Sequence, residues 1–123
     1  MQMQSQPLKI LVVEDDPLVR EVVCAQLFEL SHEPIPTEGG REALEKFQAE
    51  SFDLVITDRS MPGMNGDELA SAIKRINPAM PVILLTGFGD MLDEGVQIEV
   101  DLIVCKPFTF KMLRESLEKV MNR

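Results

Sequence analysis

The sequence lacks tryptophan and tyrosine, holds one histidine and two cysteines, and has fewer basic than acidic residues, 12 against 21. The resulting net charge of −9 argues against nucleic acid as a direct partner, because phosphate contacts need a basic face. Two cysteines do not make a disulfide framework, so Cys24 and Cys105 are predicted to be reduced, buried thiols. The low content of basic residues favours a protein that binds cations or basic partner surfaces.

Long apolar runs are also missing. No run approaches the roughly 20 residues that span a bilayer, and the opening MQMQSQP has neither the charged nor the apolar region of a signal peptide. A cytoplasmic protein without a membrane partner is therefore predicted. A chain of 123 residues suits one domain. That domain is assigned to residues 8–123, and residues 1–7 are expected to be a disordered or added N-terminal extension.

Short apolar runs alternate with amphipathic stretches along the chain. Five runs predict strands: LKILVV, EPIPT, FDLVIT, PVILLT and LIVC. Between them apolar residues recur at helical spacing, and the first predicted helix has the inward positions Val19, Val22, Val23, Leu27 and Leu30. Strands that are apolar on both faces need cover on both sides, and parallel strands need helical crossovers. The pattern predicts an α/β fold with a doubly wound, five-stranded parallel sheet and helices on both faces.

The second run, EPIPT, contains Pro34 and Pro36, each without a backbone donor. Prolines are tolerated in a sheet mainly at its edge, so this strand is predicted to be an edge strand. With right-handed crossovers, that fits the flavodoxin-like strand order 2-1-3-4-5, whose ligand crevice opens at the carboxyl ends of strands one and three. The stretch GDMLDEGVQIEVD before the last strand contains glycines and little periodicity, which predicts a short or mobile fourth helix.

Polar residues close the strands that meet at this crevice. Glu14 and Asp15 follow the first strand, and Asp58 ends the third. Two anions about 5 Å apart repel by roughly 3 kcal/mol at an effective dielectric near 20, so such a cluster needs a cation or raised pKa values. Oxygen ligands with room for water suit Mg²⁺. Thr86 ends the fourth strand and Lys106 follows the fifth, which completes a site of phosphate size in which Asp58 could attack in line.

Each of these residues also has an ordinary structural interpretation. An Asp after a strand is most often a helix cap or a turn residue, and Asp16, which precedes Pro17, is interpreted as a cap. Alone, Lys106 would be a surface charge and Thr86 a strand-forming residue. The functional interpretation is favoured because all of these residues fall at one predicted crevice. His32 has no other histidine beside it and is interpreted as a solvated loop residue, not as a phosphohistidine or metal ligand.

Four stretches, ILVVEDDP, DLVITDRSMPGMNG, PVILLTG and CKPF, stand in the order and spacing of a known family. From about Leu8 onwards the chain resembles the CheY-like receiver domain of two-component response regulators. The resemblance implies that Asp58 is the phosphoacceptor. A histidine kinase or a histidine phosphotransfer domain would supply the phosphoryl group from a phosphohistidine, and the domain would later hydrolyse its own acyl phosphate.

The resemblance also implies a metal site for Mg²⁺, with Mn²⁺ as the alternative ion. Asp15 matches the direct ligand of the acidic pair, and Glu14 matches the member that acts through water. Asp58 supplies a further ligand. The backbone carbonyl of Ser60 matches the group that completes the site.

Other positions match the residues that respond to phosphorylation. Thr86 corresponds to the switch hydroxyl and Lys106 to the phosphate-binding lysine, whose peptide bond to Pro107 would be cis. The sequence departs from the family at Ile103, where an aromatic residue is usual. The resemblance further implies a homodimer through the surface of the fourth helix, fifth strand and fifth helix.

Two other functional classes fit parts of the pattern. A Mg²⁺ phosphatase with an aspartyl nucleophile also places Asp after a strand, but it needs a second Asp two residues later, where Ser60 stands. A receiver used only for docking would lose the acidic pair or the acceptor, whereas Glu14, Asp15 and Asp58 are all present. The preferred hypothesis is a phosphoacceptor signalling switch that catalyses its own phosphorylation and dephosphorylation, not an enzyme acting on a separate substrate.

Overall fold

The strands and helices follow the alternation that the sequence predicts. The computed structural model describes residues 6–87 and 100–122. In chain order the elements are β1 (Lys9–Val13), α1 (Pro17–Glu29), β2 (Glu33–Thr37), α2 (Gly40–Ala49), β3 (Leu54–Asp58), α3 (Gly66–Ile76), β4 (Val82–Thr86), β5 (Leu102–Cys105) and α4 (Phe110–Met121). The predicted helix between the fourth and fifth strands falls mainly on residues 88–99, outside the described residues. No helix in the described ranges combines the length and apolar character needed to cross a membrane.

All neighbouring strands pair in parallel, in the order β2-β1-β3-β4-β5, so the predicted fold class and strand order are confirmed. β2 is an edge strand, as its two prolines predict. Glu33 donates its N–H to the Leu8 carbonyl, which lies on the β1 side. Because alternate residues of a strand point their N–H groups to the same side, Pro34 and Pro36 face the open edge, where no ladder donor is required.

The core lies in two layers, one on each face of the sheet. Side chains alternate along β1, so Ile10 and Val12 pack under α1 and α4, whereas Leu11 and Val13 pack under α2 and α3. β3 and β4 are buried along their whole length. This burial on both faces is typical of the central strands of a doubly wound sheet, and it holds their carboxyl ends rigidly at one edge.

α1 contacts the sheet through a narrower stripe than its sequence suggests. Val23 and Leu27 are fully buried, but Val22 is 53% exposed and Leu18 is 72% exposed. The prediction of an inward Val22 was wrong because this residue lies about 100° around the helix from Val23. Leu18 and Val22 are four residues apart, and they form an exposed apolar strip on the outside of α1.

His32 is another position where the structure differs from the prediction. Its side chain is half-buried just before β2, and its Nδ1 accepts a hydrogen bond of 3.0 Å from the Leu8 N–H. Burial lowers the pKa of His32 below its ordinary value. The histidine therefore joins the start of β2 to the chain that enters β1, and it is not a solvated loop residue.

This contact predicts a pH-dependent stability. Because the folded pKa of His32 is lowered, the unfolded chain binds more protons once the pH falls through the ordinary histidine value, and the free energy of unfolding decreases. The variant His32→Asn keeps an acceptor for Leu8 but does not titrate. From about pH 7.5 to about pH 5.5, urea unfolding followed by circular dichroism should show a larger stability loss in the wild type than in the variant. Equal losses would contradict this role.

Candidate functional site

The predicted site residues lie at the carboxyl ends of four strands. Glu14 and Asp15 follow β1, and Asp58 is the last residue of β3. Thr86 is the last residue of β4, and Lys106 follows β5 directly. Because all the strands run in parallel, these ends share one edge of the sheet. Residues separated by up to 92 positions in the chain thus come together in one crevice.

The three carboxylates form a compact cluster. Glu14, Asp15 and Asp58 each offer an oxygen, and these oxygens lie within 4.8 Å of one another. Glu14 and Asp58 are buried, whereas Asp15 is exposed. Buried anions at this separation repel strongly unless an opposite charge lies beside them.

Lys106 supplies that opposite charge. Its Nζ lies 2.6 Å from Asp58 Oδ1 and 3.2 Å from Glu14 Oε1. Burial by itself lowers the pKa of Lys106, but the ion pairs with Asp58 and Glu14 outweigh it and raise the pKa above the ordinary lysine value. The ammonium therefore stays charged at neutral pH and bridges the two buried carboxylates. The peptide bond from Lys106 to Pro107 is cis.

Glu14 is held by a partner at each of its polar groups. Its N–H donates to the Thr37 carbonyl at 3.1 Å, and its own carbonyl accepts from Arg20 Nη1 at 2.8 Å. Its Oε2 accepts from the Asp16 N–H at 3.2 Å, and its Oε1 pairs with Lys106. Burial raises the pKa of Glu14, and the Asp16 hydrogen bond opposes this effect. Both oxygens of Glu14 are thus engaged by the protein, whereas the carboxylate of Asp15 faces solvent.

Asp16 is a helix cap, as predicted. Its Oδ1 accepts from the Leu18 N–H at 2.9 Å and from the Val19 N–H at 3.4 Å, and Pro17 begins α1. The three consecutive acidic residues after β1 therefore have three different environments. Glu14 is buried and bridged, Asp15 is open, and Asp16 caps the helix.

The Thr86 hydroxyl points to the neighbouring strand. Thr86 is 4% exposed and pairs in register with Cys105, and its Oγ1 donates to the Cys105 Sγ at 3.8 Å. Both cysteines are free, but Cys24 is half-buried and Cys105 is exposed, so the prediction of buried thiols was wrong for Cys105. Ile103, two residues earlier on β5, is 39% exposed.

The loop after β3 brings Ser60 to the same edge, two residues after Asp58, where it is exposed. Gly63 makes a turn with φ of 76°. Asn65 then begins α3 with a capping box, in which its side chain accepts from the Glu68 N–H at 2.9 Å and Glu68 accepts from the Asn65 N–H at 3.0 Å. The motif MPGMNG therefore encodes a turn and a helix start that fix the loop beside Asp58.

Sequence reasoning missed three residues that shape the site. Arg20 and Thr37 hold Glu14, and Thr37 also donates its hydroxyl to the Val12 carbonyl at 2.9 Å. The position of Thr37 at the end of a strand, like that of Thr86, was the available signal for it. The sequence offered no such signal for Arg20. Its long side chain extends from α1 back to the Glu14 carbonyl in the turn before the helix.

Gly66 is the third residue, and it allows α3 to begin against the end of β3. A Cβ at this position would lie less than 3 Å from the Asp58 carbonyl oxygen and from the Arg59 Cα. Both atoms belong to the backbone, so they cannot rotate away. Glycine therefore permits the close approach of α3 to the strand end that carries Asp58.

This close approach predicts that Gly66→Ala destabilises the protein by about 1–3 kcal/mol, the usual range for overpacking. The matched control is Gly39→Ala, because a Cβ at Gly39 meets nothing within 4 Å and the backbone there is extended, so its expected cost is only the weaker N-cap of α2, about 0.5 kcal/mol. Urea unfolding monitored by circular dichroism should separate the two variants. Similar small losses in both would show that the backbone contact at Gly66 is unimportant.

The family of the chain follows from comparison with known proteins. The sequence model of the response regulator receiver domain matches residues 10–118. This chain belongs to the response regulator receiver domain family. It is thus a receiver domain of the two-component type, and the resemblance noted from the motifs is confirmed.

Relatives of this receiver domain differ in length. The chemotaxis protein CheY of Pseudomonas aeruginosa is 32% identical over 121 residues, which cover 94% of this chain and 98% of that protein. The probable transcriptional regulator ycf27 of Pyropia yezoensis is 33% identical over 98% of this chain, but the match covers only 50% of that protein. The receiver domain thus spans about half the length of the curated relatives it matches first.

Solved structures agree with the fold. The response regulator protein TrrA of Thermotoga maritima, in complex with Mg²⁺-BeF, superposes with a TM-score of 0.85 at 37% identity. The match covers 92% of this chain and 98% of that one. The five-stranded receiver fold is therefore shared along nearly the whole length of both.

Proposed function

We propose that this receiver domain is a phosphoacceptor switch that takes a phosphoryl group onto Asp58 and later hydrolyses it. The observation that supports this function best is the ion pair of 2.6 Å between Lys106 Nζ and Asp58 Oδ1 inside a cluster of three carboxylates. The ammonium of Lys106 can balance the negative charge of the Asp58 carboxylate before transfer and that of a phosphoryl oxygen after it. The donor would be the phosphohistidine of a histidine kinase or a histidine phosphotransfer domain.

The donor set fits a divalent cation, and we propose Mg²⁺ as the cofactor, with Mn²⁺ as the alternative. Asp15 and Asp58 would be the carboxylate ligands, and the Ser60 carbonyl would complete the set. Glu14 would act through water, because both of its oxygens already accept hydrogen bonds from the protein. When bound, the ion would neutralise charge on the phosphoryl oxygens.

In the transfer step, a lone pair of an Asp58 carboxylate oxygen forms the new bond to phosphorus. The P–N bond to the donor imidazole breaks, and its electron pair stays on the ring nitrogen. Lys106 balances the charge on the phosphoryl group. In the hydrolysis step, a water oxygen forms a bond to phosphorus while the bond between phosphorus and the Asp58 oxygen breaks. This step restores the Asp58 carboxylate and releases inorganic phosphate and a proton.

The docking site that we propose for the phosphohistidine donor is an apolar patch next to Lys106. Leu18 and Val22 on α1 and Pro107 and Phe108 after β5 line this patch. The two α1 residues are largely exposed, although both are apolar. A helical phosphotransfer partner could cover them and bring its histidine to the crevice, since Lys106 belongs to both surfaces.

We also propose that a homodimer, if formed, uses the surface around β5. β5 is the other edge strand of the sheet, and Ile103 and Met112 beside it are 39% and 40% exposed. Among the described residues no strand pairs with the outer side of β5, and exposed apolar side chains beside such an edge favour an interface there. The predicted fourth helix of that surface lies outside the described residues.

The acceptor assignment is tested with Asp58→Asn. Intact-mass spectrometry after incubation with acetyl phosphate and Mg²⁺ should show one added phosphoryl group on the wild type and none above background on the variant, because an amide cannot act as the nucleophile. Asp53→Asn is the matched control, since this exposed carboxylate lies at the opposite end of β3 and accepts from the Lys9 N–H. A phosphoryl group on Asp58→Asn at the wild-type level would refute the assignment.

The metal assignment is tested by comparing Asp15→Asn with Asp16→Asn. Both remove one negative charge, but only Asp15 offers an open carboxylate, and Asn at position 16 still caps α1. Mg²⁺ titration by calorimetry or NMR should show affinity weakened about tenfold or more for Asp15→Asn and little changed for Asp16→Asn. The absence of tryptophan and tyrosine rules out intrinsic fluorescence as the readout. Equal weakening in both variants would mean that the effect is long-range charge, not ligation.

A further inference from the structure

Thr86 and Cys105 end adjacent strands and face each other in register. The Thr86 hydroxyl donates to the Cys105 sulfur at 3.8 Å. Thr86 is 4% exposed, and the Cys105 sulfur is the side-chain acceptor that its hydroxyl contacts. In this structure the Thr86 hydroxyl therefore rests against the thiol of Cys105.

We infer that Cys105 is a positioning residue that holds the Thr86 hydroxyl on β5 until a phosphoryl oxygen competes for it. The inference rests on the proposed function, and it takes Thr86 to be the switch hydroxyl that the family resemblance implies, the group that would bond a phosphoryl oxygen on Asp58. It extends that function by naming the contact that is broken when the switch operates. Cys105 acts through Thr86 and touches none of the reacting atoms.

The Cys105 sulfur and a phosphoryl oxygen would compete for the Thr86 hydroxyl, and they differ in strength as hydrogen-bond acceptors. A thiol sulfur accepts hydrogen bonds only weakly. A charged phosphoryl oxygen forms a hydrogen bond about twice as strong as a neutral pair does. The Cys105 sulfur thus accepts the hydrogen bond of the Thr86 hydroxyl in the resting state. The bond is weak enough for a phosphoryl oxygen to replace the sulfur as acceptor.

β5 offers no other side-chain acceptor on this face. Alternate residues of a strand share a face, so Ile103 lies on the same side of the sheet as Cys105. Isoleucine cannot accept a hydrogen bond from a hydroxyl. A thiol at position 105 therefore supplies the polar contact that the rest of the strand lacks.

The first test examines the resting state and needs no phosphorylation. Three-bond couplings from the Thr86 methyl carbon report its χ1 population by NMR. In Cys105→Ala the hydroxyl loses its acceptor, so the population should change by roughly two- to fivefold, whereas Cys105→Ser keeps an acceptor and should preserve the wild-type rotamer. Cys24→Ala is the control for loss of a thiol elsewhere, and it should have no effect.

The second test examines the switch with beryllofluoride and Mg²⁺ as a phosphoryl mimic. Removal of the resting contact should tighten the Kd of Cys105→Ala for beryllofluoride by roughly two- to fivefold. Cys105→Ser, whose hydroxyl is a stronger acceptor than the thiol, should leave the Kd unchanged or weaken it, and Cys24→Ala should match the wild type. Unchanged Thr86 couplings in Cys105→Ala would overturn the inference, whatever the Kd. Failure of the wild type to bind beryllofluoride would instead count against the proposed function, and the couplings would still decide the role of Cys105.

Discussion

The structure depends on one electrostatic constraint at the edge of its sheet. Parallel strands bring Glu14, Asp15 and Asp58 together, with oxygens within 4.8 Å of one another, and Lys106 bridges the two buried members. Three ionised carboxylates and one ammonium sum to two negative charges. A divalent cation would balance that remainder. The charges, more than any single residue, therefore define what the crevice can bind.

Glu14 connects this constraint to the stability of the fold. Thr37 from β2, Arg20 from α1 and Lys106 after β5 all bond to it, so three separate elements meet at one residue. A buried carboxylate without such partners would cost several kcal/mol. The arrangement fixes the turn after β1, and the adjacent Asp15 stays exposed with a carboxylate oxygen inside the cluster. The fold and the site are thus stabilised by the same contacts.

The parts of this structure that follow from local chemistry were predictable from the sequence. Periodicity and the two prolines of β2 predicted the strand order. Polar residues at the strand ends predicted the cluster of carboxylates. The errors fell where a side chain depends on distant partners. Val22 is exposed because α1 rests on only a narrow stripe, and His32 is half-buried because Leu8 lies beside it. Cys105 is exposed because it lies on the face of β5 opposite to the buried Val104. Arg20 was missed because nothing in its surroundings in the sequence marks a contact with a carbonyl six residues earlier.

The two edges of the sheet are built differently, and this difference bears on how a change at Asp58 could reach a partner. β2 presents prolines 34 and 36 along its open side, which blocks pairing with another strand. β5 carries no proline and no charge, and it contacts the site through Cys105 and its next residue, Lys106. Under the proposed function, a rearrangement of Thr86 would change its contact with β5, whereas the prolines of β2 keep the opposite edge closed to strand pairing. The same asymmetry that makes β2 recognisable in the sequence leaves β5 without prolines along its edge.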